Sequence, residues 1–307
     1  MHDSKLRLLS VVAGALSLAG ASCTVAVTGT ESADNLGTDT SAVAPSTNWG
    51  SLVAYGGRCL DVRDDDPGNA NRVPIQIWDC TGREEQTWAV SMNGPVTNVK
   101  VQKVMDAPST FDHSTTWIFD WLGTDNQKWN MPSVEIHGKG DNCMDVPYGS
   151  DGSIVWMFQC WGGDNQKWFF DTSNTKIQTS DGRCLEYAEY RAGAPVLART
   201  CSRFNQNQKW HMGSNGTFYV LNLTQANLCL DITNGDTANR TPLQLWDCNG
   251  TPAQSFFLKG PIVGIEAGKC LQLPQTSSDI ATWNRTEPEL APCNGGVNQQ
   301  WEDHWGR

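Results

Sequence analysis

Eleven cysteines and five histidines are the residues of this 307-residue chain that could do redox or metal chemistry. Thiolates and imidazoles that hold zinc come at short spacings such as Cys-x-x-Cys. No such pair occurs here and the histidines are scattered, so no metal site and no cofactor are expected. Ten cysteines instead fall into couples: Cys59 and Cys80, Cys143 and Cys160, Cys184 and Cys201, Cys229 and Cys248, and Cys270 and Cys293. Each couple encloses about twenty residues, a loop that one disulfide would stabilise by roughly 3 kcal/mol in the chain-entropy model.

These couples belong to a repeat. Each unit opens with Gly-x-Cys-Leu-Asp or a variant, as in Gly57-Arg58-Cys59-Leu60-Asp61 and Leu228-Cys229-Leu230-Asp231. A short apolar stretch follows and ends on the second cysteine, as in Ile75-Gln76-Ile77-Trp78-Asp79-Cys80. Each unit closes on Gln-x-Trp, at Gln86, Gln127, Gln166, Gln208 and Gln299, with Phe256 replacing the Trp after Gln254. The period is roughly forty residues, which marks a fold built from small units that share a core. The second unit lacks both cysteines, with Val104 and Trp121 in their places. Joint loss is what pairing within a unit predicts, so the couples above are expected as five disulfides, formed in an oxidising compartment.

Within the units, apolar residues alternate in short runs such as Val73 to Trp78 and Leu243 to Trp246, with Gly, Asn, Asp and Pro between them. That is strand-and-turn punctuation, without a helical stripe. The net charge of −11 argues against nucleic acid and against an anionic membrane surface, because both attract basic patches.

The first 22 residues read as an export signal: Lys5 and Arg7, then an apolar run from Leu8 to Ala21 too short to span a bilayer. Two endings compete. A peptidase could cut after Ala19-Gly20-Ala21. Alternatively, Gly20-Ala21-Ser22-Cys23 resembles a bacterial lipobox, with Cys23, the cysteine outside the five couples, taking lipid. Residues 23–47 are rich in Thr, Ser, Ala, Gly and Asp and read as a flexible linker. The expected setting is a secreted protein or an outer-surface lipoprotein of a bacterium, touching a membrane only through that anchor. Sequons at Asn215, Asn222, Asn239, Asn249 and Asn284 would matter only in a eukaryotic secretory pathway.

The ordered motifs from Asn48 onward resemble a tandem of ricin-B-type β-trefoil lectin domains, also called family 13 carbohydrate-binding modules. The resemblance implies an all-β fold: two tandem β-trefoil domains, each of three repeats, at 48–171 and 172–307 with the boundary near Asp171. It implies that the Trp of Gln-x-Trp lies in the shared core, and that its Gln holds backbone groups. Sugar contacts would come from the Asp of Cys-Leu-Asp, an aromatic two places before the second cysteine, a polar residue two places before that, and the Asn preceding Gln-x-Trp. These are Asp61, Gln76 and Trp78 in the first repeat, with Glu85 replacing the Asn. In the second they are Asp106, Phe119 and Asn126, with Trp117 at the polar position. In the third they are Asp145, Phe158 and Asn165, with Trp156 at the polar position. In the fifth they are Asp231, Gln244 and Trp246, with Ala253 replacing the Asn. The fourth repeat has Glu186 and Arg199, and the sixth Gln272 and Ala291, so neither is expected to bind in this way. The physical basis is an aromatic ring for the C–H face of a pyranose and a carboxylate for its hydroxyls.

The expected function is multivalent, non-catalytic binding of a polysaccharide or cell-surface glycan of galactoside or xylan type. A hydrolase would need two carboxylates in one cleft, whereas the acids here sit at repeat positions and turns. The alternative is a trefoil that binds protein: a protease inhibitor, or the targeting subunit of a toxin or glycosidase.

Overall fold

The structure is a computed structural model, and it describes residues 49–63, 70–171, 175–213, 215–222, 226–274 and 284–305. The export signal, the linker and Cys23 lie outside these residues. The described residues form short strands and single 3-10 turns, and no helix among them is long and apolar enough to cross a membrane.

Each repeat contributes four strands, except that in the third repeat one of them is split into Ser153–Ile154 and Trp156–Gln159. In the first they are Trp49–Ala54, Arg58–Val62, Val73–Asp79 and Trp88–Val90. The two middle strands make a hairpin in which Leu60 faces Ile77 and Val62 faces Ile75, all buried. A 3-10 turn precedes the last strand of every repeat and ends on the Gln of Gln-x-Trp, as at Glu84–Gln86 and Asp125–Gln127. All five expected disulfides are present. Each ties the first middle strand to the end of the second, where the chain would otherwise fray.

The outer strands of three repeats close into a barrel. In one barrel Trp88 pairs with Gly50 and Asn98, Trp129 with Gly94 and Gly264, and Trp301 with Gly260 and Ala54. That ring comprises repeats one, two and six. In the other, Trp168 pairs with Val134 and Thr179, the Trp210 N–H donates to Thr175 O, the Phe256 N–H to Gly216 O, and Phe257 pairs with His137. That ring comprises repeats three, four and five. Gly216 shows how close these strands run: with φ of 75°, its Cβ would stand 2.1 Å from Phe256 O. The tryptophans are 0–4% exposed, and Phe256, 2% exposed, fills the sixth place. Five of the six rings are indoles, each donating its N–H to the carbonyl after the first cysteine position, as Trp88 to Leu60 O and Trp168 to Met144 O. The indole brings the largest apolar surface available, and its one polar atom is satisfied.

A second ring of bonds at the hairpin end has the same membership. Backbone N–H groups run from Arg72 to Ile118 O, His113 to Leu290 O and Arg285 to Ile77 O in one barrel. In the other they run from Gly152 to Ala198 O, Gly193 to Leu245 O and Arg240 to Met157 O.

Two trefoils of three repeats are therefore present, but the pairing corrects the expected boundary. Asp171 sits inside an antiparallel ladder, paired with Lys176, so a division there would split one barrel. The trefoil of repeats three to five is inserted between the second and sixth repeats of the other. The physical reason is that any three repeats can close a ring, and one strand carries the chain between barrels. Phe257–Gly260 pairs along one edge with Glu135–His137 and along the other with Trp301–Trp305. Ion pairs flank it, Lys259–Glu302 and Lys167–Glu135, each at 2.8 Å.

Two predictions follow from this pairing. Residues 131–260 produced alone will unfold cooperatively in urea, whereas 172–307, with repeat three missing and repeat six unpartnered, will not. The reverse result would restore the sequential division. The second concerns acid. Burial would raise the pKa of Glu135, but hydrogen bonds from His137 and Lys167 outweigh it and hold the pKa at about 2. Hydrogen bonding from His304, against burial and together with Lys259, holds Glu302 at about 2 as well. Both folded values lie below the ordinary 4.5, so their stabilisation is complete above that pH and is lost as pH falls from 4.5 towards 2. Urea midpoints across that window should fall in the wild type and fall less in Glu135→Gln/Glu302→Gln.

Candidate carbohydrate site

The hairpin register places the candidate residues. The residue two places after the first cysteine position faces the residue four places before the second. Asp61 thus faces Gln76, Asp106 faces Trp117, Asp145 faces Trp156 and Asp231 faces Gln244. The aromatic two places further along faces the cysteine position itself, as Trp78 faces Cys59 and Phe158 faces Cys143.

Behind each hairpin stands the Gln of Gln-x-Trp, 0–1% exposed in all six repeats. In the third repeat, Gln166 Oε1 accepts the Trp161 N–H at 2.9 Å, while its amide donates to Gln159 O and Asp145 Oδ2, both at 3.0 Å. Gln127, Gln208, Gln254 and Gln299 make the same three bonds, to Asp106, Glu186, Asp231 and Gln272 in turn. The Gln therefore holds backbone groups, as expected, and also clamps the acid.

The third repeat gathers the fullest set. Asp145, 4% exposed, accepts from Trp156 Nε1 at 2.8 Å and from Asn165 Nδ2 at 2.9 Å in addition to Gln166. Burial pushes its pKa above the usual carboxylate range, against the pull of these donors and of Trp161. A pocket of about 360 Å³ opens over it, walled by Trp156, Phe158, Trp161, Asn165 and, from the fifth repeat, Arg240. Tyr148 accepts the Asn165 N–H through its hydroxyl at 3.1 Å; Tyr148 and Trp161 are each 57% exposed.

The second repeat repeats this clamp: Trp117, Asn126 and Gln127 all donate to Asp106 at 2.9 Å, with Phe119 beside them in the same strand as Trp117. In the first repeat Gln76 donates to Asp61 at 2.8 Å, and a pocket of about 230 Å³ is lined by Asp61, Gln76, Trp78, Thr81, Arg83 and Glu85. Glu85 is bound to Lys100, and that hydrogen bond, against burial, lowers its pKa. In the fifth, Gln244 donates to Asp231 at 2.9 Å, Trp246 is 41% exposed, and Ala253 is buried.

The other two repeats are built differently. In the fourth, Arg199 occupies the aromatic position and reaches Glu186 at 3.5 Å, and the Asn on the acid is Asn205 rather than the Asn207 adjacent to the Gln. In the sixth, acid and amide have exchanged places: Gln272 donates to Glu289 at 3.0 Å, and His113 meets the same oxygen at 2.9 Å. Neither has an aromatic residue two places before its second cysteine, where Arg199 and Ala291 stand.

Sequence reasoning missed Trp117 and Trp156 as donors to the acid, although their place at the polar position marked them. It also missed Tyr148, Trp161 and Arg240. Trp161 follows Cys160 directly and carried a usable signal; Arg240 lies in the fifth repeat, far from Asp145 in sequence, and carried none. The clamp makes a prediction: Gln166→Ala strands the Trp161 N–H and removes a donor from Asp145, costing about 2–3 kcal/mol in urea unfolding. A cost near zero would show that water replaces the amide.

The family description "Ricin-type beta-trefoil lectin domain" matches residues 46–129 and 132–256, that is, repeats one and two, then repeats three to five. Beta-galactoside-specific lectin 2 of Viscum album is 23% identical over 265 residues, 81% of this chain and 44% of the relative, so the chain spans less than half of that relative's length. Among solved structures, the agglutinin from Abrus precatorius is 18% identical, covering 70% of this chain and 98% of its own, with a TM-score of 0.36. A non-toxic homologue of type II RIPs from Momordica charantia, solved with α-methyl-D-galactoside, is 15% identical, covering 69% and 96%, also at 0.36. With matches over more than half of its length, the chain belongs to the ricin-type β-trefoil lectin domain family.

Proposed function

We propose that this protein is a non-catalytic lectin that holds a polysaccharide or cell-surface glycan, of galactoside or xylan type, through shallow sites on repeats one, two, three and five. The observation that carries this reading is the third-repeat pocket, where a clamped carboxylate and an amide lie among Trp156, Phe158 and Trp161. The rings suit the C–H face of a pyranose, and the fixed polar groups suit its hydroxyls. The site residues are thus Asp61, Gln76, Trp78, Asp106, Phe119, Asn126, Asp145, Phe158, Asn165, Asp231, Gln244 and Trp246. The galactoside named with two of the relatives supports the ligand class.

One shallow site binds a sugar with a Kd near 1 mM, or roughly −4 kcal/mol. Several sites on one rigid body raise avidity by about 10²–10⁴ on a polymer or a glycan-covered surface. A non-catalytic role fits the first-repeat pocket, where Asp61 and Glu85 come together. A glycosidase acid needs a raised pKa, and that of Glu85 is lowered. Five disulfides fit the exported setting, whether the protein is freely secreted or anchored through Cys23.

Residues 46–307 screened on a glycan and polysaccharide array should bind, and an Asp61→Ala/Asp145→Ala/Asp231→Ala variant that still folds should not. Equal binding by the two would move the contact elsewhere. Absence of glycan binding by the folded wild type would turn the reading to a protein partner.

A further inference from the structure

Every hairpin passes one residue of left-handed backbone to the next repeat of its ring. These are the residues whose N–H groups make the ring of bonds at the hairpin end: Arg72, His113, Gly152, Gly193, Arg240 and Arg285. Glycine takes this conformation freely, whereas a bulky residue at positive φ is an outlier that points to function. Three of the six are arginines, at φ of 70°, 68° and 71°. Each sets its guanidinium over a tryptophan of the receiving repeat: Arg72 over Trp117 at 5.7 Å, Arg240 over Trp156 at 5.8 Å and Arg285 over Trp78 at 5.9 Å from the ring centre.

The receiving repeats are one, two and three, each with an acid–aromatic set. The fifth repeat receives Gly193, whose Cβ would stand 3.7 Å from Trp246, so that ring stays open. Arg240 lines the third-repeat pocket and forms no ion pair with a carboxylate among the described residues. Stacked on their indoles, the guanidinium groups of Arg240 and Arg72 keep an N–H edge for a ligand, and that planar fork matches a carboxylate better than a hydroxyl.

We propose that Arg240, with Arg72 in the same role, makes the third- and second-repeat sites selective for glycans carrying carboxylates, while the fifth repeat takes a neutral sugar. This rests on the lectin reading above and names the ligand class of its sites. The net charge of −11 narrows it further. A dense polyanion would be repelled by the molecule as a whole, whereas an isolated acid meets only the charges within about 8 Å: in the third-repeat pocket these include Arg240 and the buried Asp145, whose oxygens already accept from Trp156, Asn165 and Gln166. The ligand is a largely neutral chain with spaced uronic acids.

The test measures binding of residues 46–307 to surfaces bearing a neutral xylo- or galacto-oligosaccharide, or the same oligosaccharide with one uronic acid branch. The wild type should prefer the acidic member by about tenfold, the scale of one charge-assisted hydrogen bond. Arg72→Gly/Arg240→Gly should bring the ratio of acidic to neutral binding to about one, each measured on the same variant, so that any change in neutral binding itself does not enter the readout. Glycine suits the backbone there, so a thermal melt should show no loss of folding. Equal binding of both oligosaccharides by the wild type, or a preference that survives in the double variant, overturns the proposal. Binding of neither by the folded wild type overturns the lectin reading and this one with it.

Discussion

A buried glutamine side chain must have all of its hydrogen bonds made, and in this protein that requirement organises each repeat. An amide enclosed without partners costs kilocalories, so the chain around it is arranged to supply them. One bond comes from the N–H just after the second cysteine position, one goes to a carbonyl at the end of the hairpin, and in repeats two to six one goes to the residue two places after the first cysteine position. The amide therefore couples the core tryptophan beside it to the acid in front of it. A site on such a mount is rigid because its supporting atoms belong to the fold.

This explains which substitutions the repeats carry. Glu186 in place of Asp still reaches Gln208, and Gln272 still accepts from Gln299 while Glu289 takes the acid's role across the hairpin. The polar pair persists even where the aromatic position holds Arg199 or Ala291, as its structural duty would require. The parts that vary are those outside the clamp: the aromatic, the residue before the glutamine, and the residue arriving from the neighbouring repeat. Six similar units can thus carry unlike surfaces on one scaffold.

Ring closure adds a constraint of longer range. A trefoil needs three repeats to bury its tryptophans, yet nothing demands that they be consecutive. Here the strand Phe257–Gly260 leaves one barrel and enters the other without a break, flanked by Lys259–Glu302 and Lys167–Glu135. The first and last strands of the described chain, Trp49–Ala54 and Trp301–Trp305, consequently lie side by side.

What the sequence determined by itself was everything that recurs at a fixed spacing: six repeats, strands in place of helices, five disulfides, the buried tryptophans and the position of each candidate acid. Periodicity and hydrophobic alternation are local, so they can be read without coordinates. Joint loss of two cysteines in the second repeat was enough to pair the rest. Only the tertiary structure decided which three repeats form each ring, because every repeat offers the same edges and the choice lies in contacts far apart in the chain. For the same reason it alone brought Arg240 of the fifth repeat over Trp156 of the third, and set Trp161 beside Asp145 and Tyr148 against Asn165.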